Sequence, residues 1–512
     1  MLLPVAARAA DAAADRIANV RNYCSGCHLE EGSGHFHRLS DIRKTPEGWL
    51  MTIFRMQHVQ GLNLPDESRD LIVQYLSDTQ GLAPSESAAG RFALERRPNV
   101  QDLQLGEDLP AMCGRCHSLA RVALQRRDAG EWLKHMHMHV GQFPSLEYQA
   151  SARDRHWWQT ATTVLPAKLG AMFPLDSAEW RAWKDRPHAN LEGQWLVRGH
   201  TPGHGDGFGT LSVKSTGPDT YEAHYVLTLA DGKPLEMTSS VRVYTGYEWR
   251  GTIESPDGTS REVYAVSEDG RRISGRWFQA QHAEEGGDVI AERADGPAAV
   301  FEVSPRALKA GTTQEVFVSG RKLAGKPSFG PGVKVKVLQH TPDLLRLSVS
   351  VDAKAAIGAR TVSVGKTKAP DLAVVYDRVD RLQVSPSYAI ARVGGGKTPG
   401  VPAQFEAFGF LDPRAGSSVK QPLALGPLPV EWSVTPRNEE AVKADDVKFA
   451  GTMEAGGRFM PAGAGPNPQR KYSTNNAGDL TVVANLKQEG QPVKGDAHLI
   501  VTVQRWNTPP IY

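Results

Sequence analysis

Cys24-Ser25-Gly26-Cys27-His28 recurs as Cys113-Gly114-Arg115-Cys116-His117, and these two stretches hold all 4 cysteines of the 512 residues. Two thiols at the ends of C-x-x-C reach the two vinyl groups of one porphyrin, and the next residue turns its imidazole to the iron. Two such pentapeptides with no cysteine left over predict two covalently bound c-type haems. Cys24, Cys27, Cys113 and Cys116 are then the attachment points, and His28 and His117 the proximal iron ligands. Zinc is a weaker alternative, because paired knuckles usually stand about 15 to 20 residues apart, and these pairs stand much farther. A thioredoxin-type redox pair needs a neighbouring βαβ pattern and no histidine. Disulfides within each motif would leave His28 and His117 without a role.

Around these motifs the pattern is helical. Ile17, Val20 and Tyr23 lead into the first, and Pro65-Asp66 opens a segment with Leu71, Ile72, Tyr75 and Leu76 at helical spacing, which Gly81 ends. The two haem segments read as an internal duplication when aligned on Trp49 and Trp132. Each tryptophan is followed by leucine, and at the same distance beyond them stand Met56 and His139, both able to bind iron from the distal side. For the first haem His58 competes with Met56, while His35 and His37 read as a solvated loop. For the second, the run His135-Met136-His137-Met138-His139 offers several donors; the duplication selects His139, with Met138 and then His137 behind it. Thioether ligation raises a haem potential relative to bis-imidazole ligation, so electrons are expected to enter at the Cys113/Cys116 haem and leave from the Cys24/Cys27 haem.

Length and composition call for several domains, with a net charge of only +2 and 40% hydrophobic residues. That balance points away from nucleic acid, and no apolar run approaches the roughly 20 residues that span a bilayer. The expected organisation is a helical dihaem cytochrome c domain over 1–185, an antiparallel β-barrel over 186–295, and two immunoglobulin-like β-sandwiches over 296–377 and 378–512. Alternation at Tyr221, Ala223, Tyr225, Leu227 and Leu229, with turn signals at Asp231-Gly232, Asp257-Gly258 and Asp269-Gly270, carries the barrel reading. Gly199 to Gly207 reads as a glycine-rich connection at the barrel lip, and Gly394 to Lys397 as a turn. Pro461 to Gly478 reads as a long loop. Residues 1–14 read as the remnant of an export signal around Ala7-Arg8-Ala9. Because c-type haem is attached outside the bacterial cytoplasm, the mature protein is expected in the periplasm.

The chain resembles the α (dihaem) subunit family of quinohaemoprotein amine dehydrogenases. The likeness is carried by Arg43-Lys44-Thr45-Pro46-Glu47-Gly48-Trp49, by Met112-Cys113-Gly114-Arg115-Cys116-His117-Ser118, by His139 to Tyr148, and by Ala152-Arg153-Asp154-Arg155-His156-Trp157-Trp158. The resemblance implies a periplasmic heterotrimer that oxidises primary amines to aldehyde and ammonia. In it a cysteine tryptophylquinone belongs to a small γ subunit, and a β-propeller subunit completes the complex. The dihaem subunit would take electrons from the reduced quinone and pass them to an azurin-type cupredoxin or a small cytochrome c, with no substrate-bond chemistry of its own. A free-standing dihaem carrier or peroxidase-type enzyme is the alternative, and a non-redox scaffold the third class.

Overall fold

The computed structural model describes residues 5–32, 34–91, 102–143, 146–255, 258–395, 398–413, 418–471 and 475–504. Asp257 of one turn signal, Gly396-Lys397 of another, and Pro144-Ser145 of the family likeness lie outside them.

The N-terminal part is built of helices joined by one short ladder. In chain order it runs α1 (Val5–Cys24), β1 (Arg43–Lys44), α2 (Pro46–Val59), α3 (Asp66–Thr79), α4 (Pro84–Ser87), α5 (Asp108–Met112), α6 (Ala120–Ala123), β2 (Gln125–Arg126), α7 (Ala129–Gln142), α8 (Leu146–Ala150), α9 (Trp157–Thr163), α10 (Leu165–Met172) and α11 (Ala178–Trp183). Residues 5–14, read as a signal remnant, continue the helix that delivers Cys24. Among the described residues there are two large cores and a smaller cluster of Leu82, Ala120 and Leu124. One large core gathers Val20, Phe36, Trp49, Ile53, Ile72 and Leu76, the other Leu109, Met112, Trp132, Met136, Trp157 and Leu169.

The duplication reaches further upstream than the tryptophans. At one constant offset, Arg43 matches Arg126, Lys44 matches Arg127, Thr45 matches Asp128, and Trp49 matches Trp132. Thr45 and Asp128 cap α2 and α7 by accepting from Gly48 N and Glu131 N. β1 and β2 pair antiparallel with Arg43 opposite Arg126, so equivalent residues of the two halves meet. Both guanidinium groups close on Glu86: Arg43 Nη1 and Nη2 donate at 2.8 and 2.9 Å, and Arg126 Nε at 3.0 Å.

The barrel strands are β3 (Gly193–Thr201), β4 (Gly205–Gly217), β5 (Thr220–Leu229), β6 (Pro234–Tyr244), β7 (Glu248–Ser255), β8 (Gly258–Val266), β9 (Arg272–Gln279) and β10 (Gly286–Arg293). Each pairs antiparallel with its chain neighbour, and β10 closes on β3 to complete the barrel. Closure removes the edges that an open sheet would expose. Trp195, Leu211, Ala223, Tyr225, Val241, Trp249 and Ile273 fill the interior. Among them sits a carboxylate that alternation alone does not reveal. Glu262 accepts from Tyr225 Oη at 2.7 Å, Ser239 Oγ at 2.8 Å and Trp249 Nε1 at 2.9 Å. Burial raises its pKa against the pull of those bonds. Position 251 has to be glycine here, because a Cβ would overlap Glu262 Oε2.

Tyr244 to Tyr247, the turn between β6 and β7, plugs into the helical part. Thr245 N donates to Asp78 Oδ1 at 2.7 Å, Gln74 Nε2 donates to Val243 O at 3.1 Å, and Trp183 Nε1 donates to Thr245 O at 2.9 Å. A Cβ on Gly81 would lie 2.8 Å from Thr245 Oγ1, so the close approach requires glycine. Arg250 pairs with Glu47 across the same junction.

Within Gly199 to Gly207, read as a connection at the barrel lip, the turn from β3 to β4 is confined to Pro202-Gly203-His204, and the flanking residues are strand. Paired strands satisfy backbone groups that a glycine-rich loop would leave to water.

From 299 to 376 two four-stranded sheets enclose one core with Leu308, Val316, Leu345, Leu347, Val349, Val362 and Val375. The C-terminal part departs from a simple two-sheet layout. It carries sheets of 3, 4 and 3 strands and two short helices, Glu439–Lys443 and Asp446–Phe449. The run Gln404 to Phe408 divides at Phe405. Ala403–Gln404 pairs with Phe459 and Arg458, while Glu406–Leu411 pairs with Arg381–Ser385. Phe405 is fully buried between them and donates its N–H to Gly457 O at 2.8 Å, so its anchoring in the core passes the chain from one sheet to the next. Among the described residues no strand crosses the expected loop after Pro461 until Gly478.

Candidate haem-binding site

Each C-x-x-C-H stretch is a turn that leaves a helix. Cys24 ends α1, and its carbonyl accepts from Cys27 N at 3.1 Å and His28 N at 2.9 Å. Cys113 caps α5 with its N–H on Leu109 O. Burial, with the neighbouring thiol second, pushes Cys24 up to about 11 and Cys113 up to about 12. None of the four cysteines is in a disulfide. Among the described residues no group of three or more His, Cys, Asp or Glu converges on one ion position.

The imidazoles after the motifs are held in a defined sense. His28 Nδ1 lies 3.0 Å from His37 O, and His117 Nδ1 lies 2.8 Å from Ser118 O. A backbone carbonyl can only accept, so Nδ1 carries the proton and Nε2 keeps the lone pair an iron needs. The loop read as merely solvated thus has a job: His37 is exposed, yet its carbonyl orients His28. His35 stands apart, 3.9 Å from Glu31 and 3.8 Å from Asp41. The donor set fits a haem in both halves: two thiols in one turn and a histidine with its Nδ1 already committed.

Met56 is half-buried on α2. His58 is exposed, its ring stacked 4.9 Å from Phe54 and its Nδ1 2.9 Å from Phe54 O. On α7, Met136 and Trp132 turn into the second core. His137 is exposed, with its ring edge-on 5.1 Å from Trp158. Met138 is half-buried. His135 and His139 share a face, 4.9 Å apart, that looks toward Arg55 of the first half, and both Arg55 and Arg127 are close enough to act on them. Burial first, then those positive charges, lowers the pKa of His139, and His135 lies well below the ordinary imidazole value. His139 Nδ1 also faces a carbonyl, His135 O at 2.8 Å. Met56 and His139, the equivalent positions of the duplication, lie on α2 and α7, and the charge of Arg55 on α2 reaches His139 on α7.

The barrel meets the C-terminal part at a charged clamp that sequence reading missed, because its partners are far apart in the chain. His200 Nδ1 is 2.6 Å from Asp206 Oδ1 and its Nε2 2.8 Å from Glu406 Oε1. Ser304 bonds the other oxygen of Asp206, and Arg458 pairs with Glu285 alongside. Burial alone would lower His200, but the two carboxylates push it up to about 10. An imidazole raised above its unfolded value of about 6.5 adds stability that is complete below about 6.5. It is lost as pH rises through about 10. Thermal unfolding is expected to lose about 2 kcal/mol between pH 7 and pH 10.5, and the variant His200→Gln to show no such step. An equal pH response in both proteins would refute the clamp.

Four descriptions from one family match the chain. "Quinohemoprotein amine dehydrogenase A, alpha subunit, haem binding" matches residues 13–180, and the alpha subunit's domains II, III and IV match 188–294, 297–377 and 382–511. No curated protein matches the chain. Among solved structures, a de novo designed fluorescence-activating beta barrel is 22% identical over 20% of this chain and 92% of its own, with a TM-score of 0.17. A mouse clustered PcdhgC3 EC1-3 fragment is 12% identical over 52% of this chain and 77% of its own, with a TM-score of 0.16. Likenesses that slight carry no argument. The haem-binding match covers both C-x-x-C-H turns, and the other three follow it in order through the barrel and the β domains, so the chain belongs to the family of quinohemoprotein amine dehydrogenase alpha subunits.

Proposed function

We propose that this chain is the electron-transfer subunit of a periplasmic amine dehydrogenase and carries two covalent c-type haems. Cys24, Cys27, Cys113 and Cys116 attach them, His28 and His117 bind the irons proximally, and Met56 and His139 are the distal ligands. Haem so bound supplies one-electron iron centres. The residues around it hold the imidazoles in one tautomer. The reading is carried by one observation: two C-x-x-C-H turns, each with its histidine Nδ1 on a backbone carbonyl, occupy two half-domains with separate cores.

In this proposal a small γ subunit bears a cysteine tryptophylquinone, a β-propeller subunit completes a heterotrimer, and electrons leave to an azurin-type cupredoxin or a cytochrome c. The primary amine is oxidised to aldehyde and ammonia in the partner. The chain divides at 185, 295 and 377, and the last two units belong to the immunoglobulin-like sandwiches, the second elaborated by extra strands. No helix among the described residues is long and apolar enough to cross a membrane.

The test is the visible spectrum of the complex, purified from the periplasm through a tag on this chain, before and after a simple primary amine. Sharpened reduced-haem bands on amine addition are expected. Bands that answer dithionite but no amine would leave a dihaem carrier serving another dehydrogenase, and their absence would overturn the haem reading.

A further inference from the structure

Where the two helical halves meet, the interior holds more positive charge than its own carboxylates neutralise. Lys44 is 4% exposed and Arg127 2%. They occupy equivalent places in the duplication, Lys44 Nζ over the Trp49 ring at 5.3 Å and the Arg127 guanidinium over Trp132 at 5.6 Å. Lys44 Nζ donates to Thr52 Oγ1 at 2.6 Å, and Arg55 Nη2 donates to the same neutral hydroxyl at 3.2 Å. Arg127 donates to the amide oxygen of Gln125 at 3.2 and 3.1 Å. The carboxylates at hand are Glu131 and Asp128: Glu131, 3.9 Å from Arg127, already serves Lys134 at 2.5 Å and Arg38 at 3.2 Å, and Asp128, whose charge also reaches Arg127, caps α7. Arg55 Nε and Arg38 Nε are sealed from solvent with no hydrogen-bond partner.

The neighbouring pair shows what a satisfied arrangement looks like. Arg43 and Arg126 share Glu86, and Arg43 also donates to Gly81 O at 3.0 Å. Lys44, Arg55 and Arg127 have no such carboxylate to themselves. A cation taken out of water without a counter-charge costs several kcal/mol, and here three lie close enough to repel one another. Such a site needs an anion from outside the polypeptide. A planar guanidinium and an ammonium, side by side in a dry setting, suit carboxylate groups.

We propose that Lys44, Arg55 and Arg127 form one anion seat for haem propionates, placed between the halves beside His135 and His139. The seat rests on the reading that this domain carries haem. It would fix the tilt of the porphyrin and, by its positive charge, favour the reduced iron.

Potentiometric titration of the purified haem-loaded complex, wild type against Lys44→Met, Arg55→Met and Arg127→Met, tests it. Each loss of charge is expected to move the oxidised-to-reduced equilibrium of at least one haem about tenfold toward the oxidised form, which is ~59 mV for a one-electron couple. Arg55→Lys, which keeps the charge, should stay within about twofold of the wild type. Both haems bound with unchanged potentials in all three methionine variants would overturn the seat. If a variant does not fold, a crystal structure of the wild-type haem-loaded complex decides. Propionate oxygens within about 3.2 Å of Lys44 Nζ or Arg55 Nε support the seat, and chloride there with the propionates elsewhere refutes it. A wild-type complex without haem bands would sink the haem reading itself, whereas normal bands with unchanged potentials would sink only the seat.

Discussion

Replacing Glu86 by alanine is expected to cost about 3–5 kcal/mol and to part the two helical halves. Its carboxylate receives Arg43 through both Nη atoms, Arg126 through Nε, Ser177 Oγ at 2.8 Å and the N–H of Ala83 at 2.8 Å. Removing it leaves two arginines, 1% and 6% exposed, with no counter-charge at the point where β1 meets β2. Burial would raise the acid, but the hydrogen bonds and charges of Arg43 and Arg126 bring it down to about 2. A carboxylate held below its unfolded pKa of about 4.3 contributes stability that is fully present well above that value. The contribution is lost as pH falls through about 2. Chemical denaturation of the wild type and the variant at pH 7 checks the magnitude. A difference below about 1 kcal/mol would show that water replaces the carboxylate and that the junction is not sealed.

Converting Cys113 and Cys116 together to alanine is expected to lower covalent haem from two per chain to one while the barrel still folds. The two helical halves have separate cores, and the barrel has its own, so losing a haem from the second half leaves the other cores filled. Total haem measured against protein after acid–acetone extraction reads the outcome, because a thioether-bound haem stays with the polypeptide. An unchanged count would refute attachment at these cysteines, and complete loss would show that the two sites load as one unit. The corresponding change at Cys24 and Cys27 should give the same halving.

The haem-binding character and the family were open to sequence reading because both rest on short local patterns. C-x-x-C-H places its chemistry within five neighbouring residues, whatever the rest of the chain does. The barrel was readable for a similar reason: strict alternation at Ala223 and Tyr225 follows from having one dry face. Distal ligation was harder to read, since five donors crowd into His135 to His139. On α7 the helical turn sorts them, sending Met136 into the core, His137 outward, and His135 with His139 toward Arg55. No periodicity in the sequence could have named Arg55 as their neighbour, because it sits on a different helix of the other half. Glu262 inside the barrel escaped notice too: an acid at an inward position contradicts alternation until Tyr225, Ser239 and Trp249 are seen around it.

By itself, then, the sequence determined the paired C-x-x-C-H motifs, the helical character around them, the alternating strands of the barrel and the family, all of which depend on residues near one another in the chain. Tertiary structure alone decided which distant side chains share a site: Arg43 and Arg126 on Glu86, His200 between Asp206 and Glu406, and Lys44 with Arg127 beside Arg55. The physical reason is the difference in range. Hydrogen-bonded turns and apolar periodicity are written over a few residues, while the pairing of buried charges is settled only when separate segments fold against each other and exclude water between them.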